Sequence, residues 1–272
     1  MKAEQARKMT DDALAKLAAA LEQGKSEALT QYLTVMAKFH HYSFGNIMLI
    51  VAQRPDATHV AGFNTWKHLN RWVKKGEKGI AIIAPMLLKN REEAQRGDEA
   101  ESFLRFRAVH VFDISQTEGD PLPEPAATAG DPGAYTTRLK ALIESRGIKL
   151  SFEDVPFGAF GCSKGGEIRI RPDLPPAQTF EVLVHELAHE LLHQGKDSTR
   201  GDKSTVETEA EAVAFVVCHS VGLDTGTAAS DYIQLHNGSK ETLAQSLDRI
   251  QKTSNLILEA ISGEATEEPL AA

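Results

Sequence analysis

The sequence predicts an α+β chain in two domains: a small helical and β-hairpin domain first, then a domain that sets long helices against a short sheet. Three observations carry that prediction. Apolar residues recur at helical spacing through much of the chain, yet alternate at strand spacing in 103–112 and 167–171. A stretch rich in Pro, Gly and Ala, 119–134, has no periodicity and reads as a linker. The formal charge also changes sign across it. Residues 1–90 carry 13 basic and 7 acidic side chains, a net of +6, whereas residues 121–272 carry 13 and 23, a net of −10. The expected domains are therefore 1–118 and 135–272, joined by the linker.

The elements follow in order. Thr10 with Asp11 and Asp12 opens a helix that Gly24 closes, its apolar face formed by Leu14, Leu17, Ala18 and Leu21. Leu29, Tyr32, Leu33 and Met36 mark a second helix, and Ser43 starts a third that must end before Pro55. Asn64 caps a fourth, Thr65–Val73, which holds both tryptophans. An apolar strand from Ile80 to about Met86 and a second over Phe103–Phe112 form a hairpin across a charged loop. In the second half an amphipathic helix, Tyr135–Arg146, precedes strands at Lys149–Phe152, near Gly158–Phe160 and at Glu167–Arg171. Pro175-Pro176 opens a long helix from Ala177 to His193. Two more follow, Ser204–Val221 and Ser239–Ile261.

Several classes are excluded. The longest apolar stretches fall far short of the roughly 18 residues that a membrane span needs, so no membrane association is expected. The N-terminus has no apolar core or small-residue cleavage site, which points to a cytoplasmic protein. Cys162 and Cys218 read as two buried thiols of a reducing compartment. A −8 total that hides a basic half is unlike a DNA mimic and suits two functions with different partners.

The strongest motif is HELAH, residues 185–189. Histidines four apart on a helix are rotated by about 40° and separated by about 6 Å, so His185 and His189 can hold one metal ion. Glu186, about 100° further round, points to where a bound water would sit, the place of a general base. His193 shares the helix face but lies about 12 Å along the axis from His185, too far to join the same ion. The following helix offers ETEAE, 207–211, in which Glu207 and Glu211 share a face and Glu209 is turned away. Glu207 is assigned to the metal and Glu211 to a hydrogen bond with a ligand histidine, with the reverse left open. A third histidine ligand, His219 or His236, is the other possibility.

HELAHELLH followed by ETEAEAVAF resembles the zincin-type metallopeptidases allied to the ImmA/IrrE peptidases. The segment YSFGNIMLIVAQRPDATHVAGFNTWKHLNRWVKKGEKGIAIIAPM, with the later VFDISQTEGDPLPE, resembles the N-terminal domain of ArdC-type antirestriction proteins. The resemblance covers about 30–260. It implies a single-stranded-DNA-binding domain followed by a zincin-like domain with a Zn2+ cofactor, and places the third ligand on Glu207. It also implies peptide hydrolysis of an unidentified peptide or protein substrate, with Glu186 as the proton-transferring group. One departure is the missing tryptophan after Tyr232-Ile233, where His236 stands instead. Tyr232 and His236 are candidates for the oxyanion, and the edge of strand Glu167–Arg171 is a candidate docking edge for an extended peptide. A repressor-cleaving peptidase and a DNA-binding protein with a purely structural zinc are the other readings.

The basic half carries no catalytic pattern. Trp66, Lys67, Arg71, Trp72, Lys74, Lys75 and Lys78 interleave rings with cations, as a single strand wants for its bases and phosphates. A helix that buries its tryptophans would show the same composition, so DNA binding here is implied by the resemblance. His40, His41, Tyr42 and Phe44 form a second possible stacking edge.

Overall fold

In the computed structural model the described residues are 3–25, 27–89, 102–122, 132–155, 159–194, 203–223 and 239–263. Helices α1 (Ala3–Glu22), α2 (Glu27–Lys38) and α3 (Phe44–Gln53) open the chain. Thr10, expected to begin the first helix, lies inside it. Its hydroxyl donates back to the Ala6 carbonyl at 3.2 Å, a bond available only within a helix.

The next elements are β1 (Val60–Gly62), α4 (Phe63–His68), β2 (Arg71–Val73), β3 (Ile80–Lys89), β4 (Ser102–Asp113) and β5 (Thr117–Gly119). The long hairpin β3–β4 pairs Ile80 with Val111, and β1 adds antiparallel on the far side of β4. This leaves one side of β3 as a sheet edge. Two side-chain amides of α3 cover it: Asn46 exchanges two hydrogen bonds of 2.8 Å with the Ile83 backbone, and Gln53 does the same with Ala81 at 2.8 and 3.0 Å. The expected helix Thr65–Val73 is in fact α4 followed by β2. Asn70 takes a left-handed backbone, φ +54°, which ends the helix, and Trp72 then pairs opposite Glu118 of β5.

The later elements are α5 (Gly133–Ser145), β6 (Lys149–Phe152), β7 (Gly161–Ser163), β8 (Glu167–Ile170), α6 (Pro176–His193), α7 (Lys203–Ser220) and α8 (Lys240–Ser262). Strand β8 is central, parallel to β6 and antiparallel to β7. Ser239 caps α8 through the Thr242 N–H at 3.0 Å. Fully buried Leu183, Leu187, Val213, Val217, Leu243, Leu247 and Ile250 form the helical core. No described helix is long and apolar enough to cross a membrane.

The chain divides into two compact units. Residues 3–13 with 45–122 form one, and Leu14–Phe44 with 132–263 the other. This differs from the expected 1–118 domain, because α2 belongs with the later helices. It packs against α7, and its Leu29, Leu33 and Met36 are fully buried, each worth roughly 1.5–3 kcal/mol of apolar burial. The Ser220 hydroxyl donates to Ala37 O at 2.7 Å, and Gln251 Nε2 to His40 O at 2.8 Å. An amphipathic face shows that a partner exists, not which one.

Candidate metal centre

Helix α6 begins with Pro176 at its first turn and buries Phe180, Leu183, Val184, Leu187 and Ala188. That burial fixes its rotation, so that His185, His189 and His193 line a cleft of about 630 Å³ with Glu207 and Glu211 of α7. The Nε2 atoms of His185 and His189 face each other at 3.0 Å. Glu207 Oε2 lies 3.6 Å from the first and 3.4 Å from the second. Glu211 Oε2 stands 3.4 Å from Nδ1 of His185, the other nitrogen of that ring. Such a bond fixes the ring's orientation and leaves Nε2 free to ligate.

Electrostatics favour a cation at the point where these groups meet. Burial opposes charge on His185, but Glu207 and Glu211 outweigh it and push its pKa up to about 9. His189 is pushed down to about 4 by burial and the adjacent His185 charge. The pair thus attracts one positive charge and refuses a second proton, while His185 holds Glu207 below the usual carboxylate range. Two imidazole nitrogens and a carboxylate oxygen, all within 4.8 Å of one another, form a donor set that fits a divalent metal ion.

Glu186 is 7% exposed, and burial, with the negative charges of Glu207 and Glu190, pushes its pKa up to about 7. It accepts a hydrogen bond from the Ser163 N–H of β7. This strand comes very close: a Cβ added at Gly161 would lie 2.6 Å from Val182 Cγ1 and 2.9 Å from Glu186 Oε1. Any side chain there would push Val182 and Glu186 aside. The expectation of a free edge at Glu167–Arg171 is therefore corrected, since β8 is paired on both sides and β7 is the edge at the cleft. Cys162, expected to be buried, is half-buried on that edge, whereas Cys218 is buried.

The His193 ring lies tilted beside that of His189, with centroids 5.7 Å apart, and turns Nε2 toward Glu209 at 3.8 Å. Glu209, not assigned from the sequence, is 1% exposed. It accepts from Ser246 Oγ at 2.6 Å and from the Arg249 guanidinium. His219 stacks on Phe215 of its own helix, and Tyr232 and His236 lie outside the described residues.

In the first unit, burial removes two of the seven groups assigned to DNA. Trp66 is 2% exposed and donates Nε1–H to Phe112 O at 2.8 Å. Arg71 is 8% exposed, and its guanidinium donates to Thr117 Oγ1 at 2.9 Å and to Asp120 O. Both are core groups whose polar atoms are engaged. Trp72 is 52% exposed, and Lys67, Lys74, Lys75 and Lys78 are exposed, Lys74 Nζ donating to Ser115 O at 3.0 Å. Phe63 at the start of α4, overlooked in the sequence, is also exposed. His40, His41, Tyr42 and Phe44 fall in the second unit, where His40 Nδ1 meets Asn255 Oδ1 at 3.0 Å.

Residues 3–112 match the family model of the N-terminal domain of the anti-restriction factor ArdC. Two crystal structures of ArdC from the R388 plasmid share the fold. The metal-free one has a TM-score of 0.55 and 18% identity over 95% of this chain and 99% of that one. The Mn(II)-bound one has 0.54 and 18% over 94% and 99%. An uncharacterized Bacillus anthracis protein is 26% identical over 89% of this chain. The chain spans about half the length of that curated relative, 49%.

Proposed function

We propose that this chain, whose residues 3–112 match the N-terminal domain of ArdC, is a single-stranded-DNA-binding protein with a zinc-dependent peptidase domain that protects incoming mobile DNA. The observation that carries the enzymatic half is the buried Glu186 carboxylate. It lies one residue from His185 and shares the cleft in which the two Nε2 atoms and Glu207 converge.

His185, His189 and Glu207 would hold the ion, with Glu211 orienting the His185 ring. Bound zinc supplies Lewis acidity, which polarises a carbonyl and acidifies water. Glu186 takes the water proton on a carboxylate oxygen and passes it to the leaving amine. Its raised pKa suits both transfers near neutrality. Strand β7 supplies the docking edge. Phe160 O accepts from Arg171 N and Lys164 N donates to Glu167 O, both at 2.9 Å, so the alternate residues Gly161 and Ser163 turn their backbone groups away from β8. An extended peptide can add there by main-chain hydrogen bonds to groups other than the Ser163 N–H, which Glu186 holds.

For the DNA half, exposed Trp72 and Phe63 offer rings for bases, and Lys67, Lys75 and Lys78 offer charge for phosphates. The test uses the full chain. Zinc should bind at about one per chain, be lost in the His185→Ala/His189→Ala double variant and persist in Glu186→Gln. Glu186→Gln should abolish cleavage of a peptide library and the antirestriction phenotype. Full phenotype in Glu186→Gln would leave zinc with a structural role only. Binding of labelled single strands should weaken steeply with salt, and absence of binding at low salt rejects the DNA half.

A further inference from the structure

Glu190 is neither a metal ligand nor a proton carrier in the chemistry above, where it contributes only a negative charge near Glu186, yet both of its oxygens are engaged. Oε1 accepts from the Gly165 N–H at 2.8 Å and Oε2 from the Gly166 N–H at 2.7 Å. Both glycines sit in the left-handed region, φ +65° and +92°, which turns two successive N–H groups toward one carboxylate. One turn earlier on the same helix, Glu186 accepts from the Ser163 N–H. Two carboxylates four residues apart thus lace β7 and its turn to α6.

The lacing matters because β7 is so short. It has three residues and three pairs with β8, from Gly161↔Ile170 to Ser163↔Ile168. A ladder of that length fixes position weakly. At the Gly161 end the strand rests on Val182 at contact distance, and at the other end the two carboxylate arms hold it to the helix. Gly161, Cys162 and Ser163 of β7 line the same cleft as His185, Glu186 and His189 of α6, so where β7 sits on α6 sets how its backbone faces the histidines.

We infer that Glu190 is a positioning residue: by clamping Gly165 and Gly166 it fixes the separation of β7 from α6, and with it the register of an extended peptide backbone over His185 and His189. The inference rests on the peptidase reading. A carboxylate that merely tied down a surface turn would affect that turn and leave ligand selection alone.

The test compares zinc-loaded full-length protein with Glu190→Gln, which keeps the size of the side chain but offers one acceptor oxygen to two donors. Two probes separate the metal from the rim. Acetohydroxamate reaches the metal alone, whereas a peptidyl hydroxamate also lies along β7. Glu190→Gln should bind the peptidyl probe at least about tenfold more weakly and acetohydroxamate within about twofold of wild type, as expected for lost charge-assisted hydrogen bonds. Glu190→Asp, which keeps both acceptors, should recover part of the loss. In the metal-free full chain, amide exchange over 161–166 should rise while that of 183–193 stays unchanged. Equal affinity for the peptidyl probe, equal losses for both probes, or unchanged exchange over 161–166 overturns the inference. Wild type that binds acetohydroxamate but not the peptidyl probe overturns it and leaves the metal reading intact; wild type that binds neither overturns both.

Discussion

Trp66 and Trp72 stand six residues apart on one basic stretch, yet Trp66 is 2% exposed and Trp72 is 52% exposed. The first has its indole N–H on Phe112 O and Arg71 over its ring at 6.0 Å. Replacing it by alanine should therefore cost about 3–5 kcal/mol, measured by chemical denaturation. Trp72→Ala should leave stability nearly unchanged but weaken single-strand binding by about 1–3 kcal/mol, the worth of one stacked base. Fluorescence anisotropy with an oligothymidine checks it. Wild-type affinity in Trp72→Ala would move the DNA face elsewhere.

At the scale of elements, α7 separates its acids by face. Glu207 and Glu211 turn to the histidines of α6, and Glu209 turns to α8, where Arg249 and Ser246 hold it. Arg249→Ala strips the cation from a carboxylate that is 1% exposed. Discounted for the partial exposure of the guanidinium, the loss should be about 2–3 kcal/mol, and metal affinity should fall with it as α7 loosens. Denaturant melts with and without zinc measure both effects; a change below about 0.5 kcal/mol would mark Glu209 as dispensable. The helix pair was open to sequence reading because its signals are local: His185 and His189 are one turn apart, and so are Glu207 and Glu211. Glu209 was not, since its partner lies 40 residues away and nothing in a helical period names it. Asn70 explains the other error. A run of helix formers and tryptophans looks continuous until one residue turns left-handed and the next three find a strand partner. The close approach at Gly161 left no mark beyond one glycine among 20.

For the whole molecule, the reading of composition and linker gave a division in two, but α2 is assigned differently by packing. The face made by Leu29, Leu33 and Met36 is buried in the second unit, so the change in charge sign at 119–134 does not coincide with a cut between complete units. A fragment of 135–272 should consequently lack a cooperative thermal transition and near-ultraviolet circular dichroism, while one beginning at Leu14 with 45–122 replaced by a short linker should retain both. Independent cooperative folding of 135–272 would show that α2 is not needed to complete that core.

The interruption of the second unit's sequence by residues 45–122 of the first has a consequence in time. Ala37 and Ser220, joined by a hydrogen bond, are 183 residues apart. At about 5–20 residues per second, a ribosome takes roughly 10–40 s to deliver α7 after α2 has emerged. During that wait the first unit can form from the intervening chain, while the apolar stripe of α2 has no docking partner yet made. The apolar stripe of α2 is therefore open to chaperones before the metal site exists.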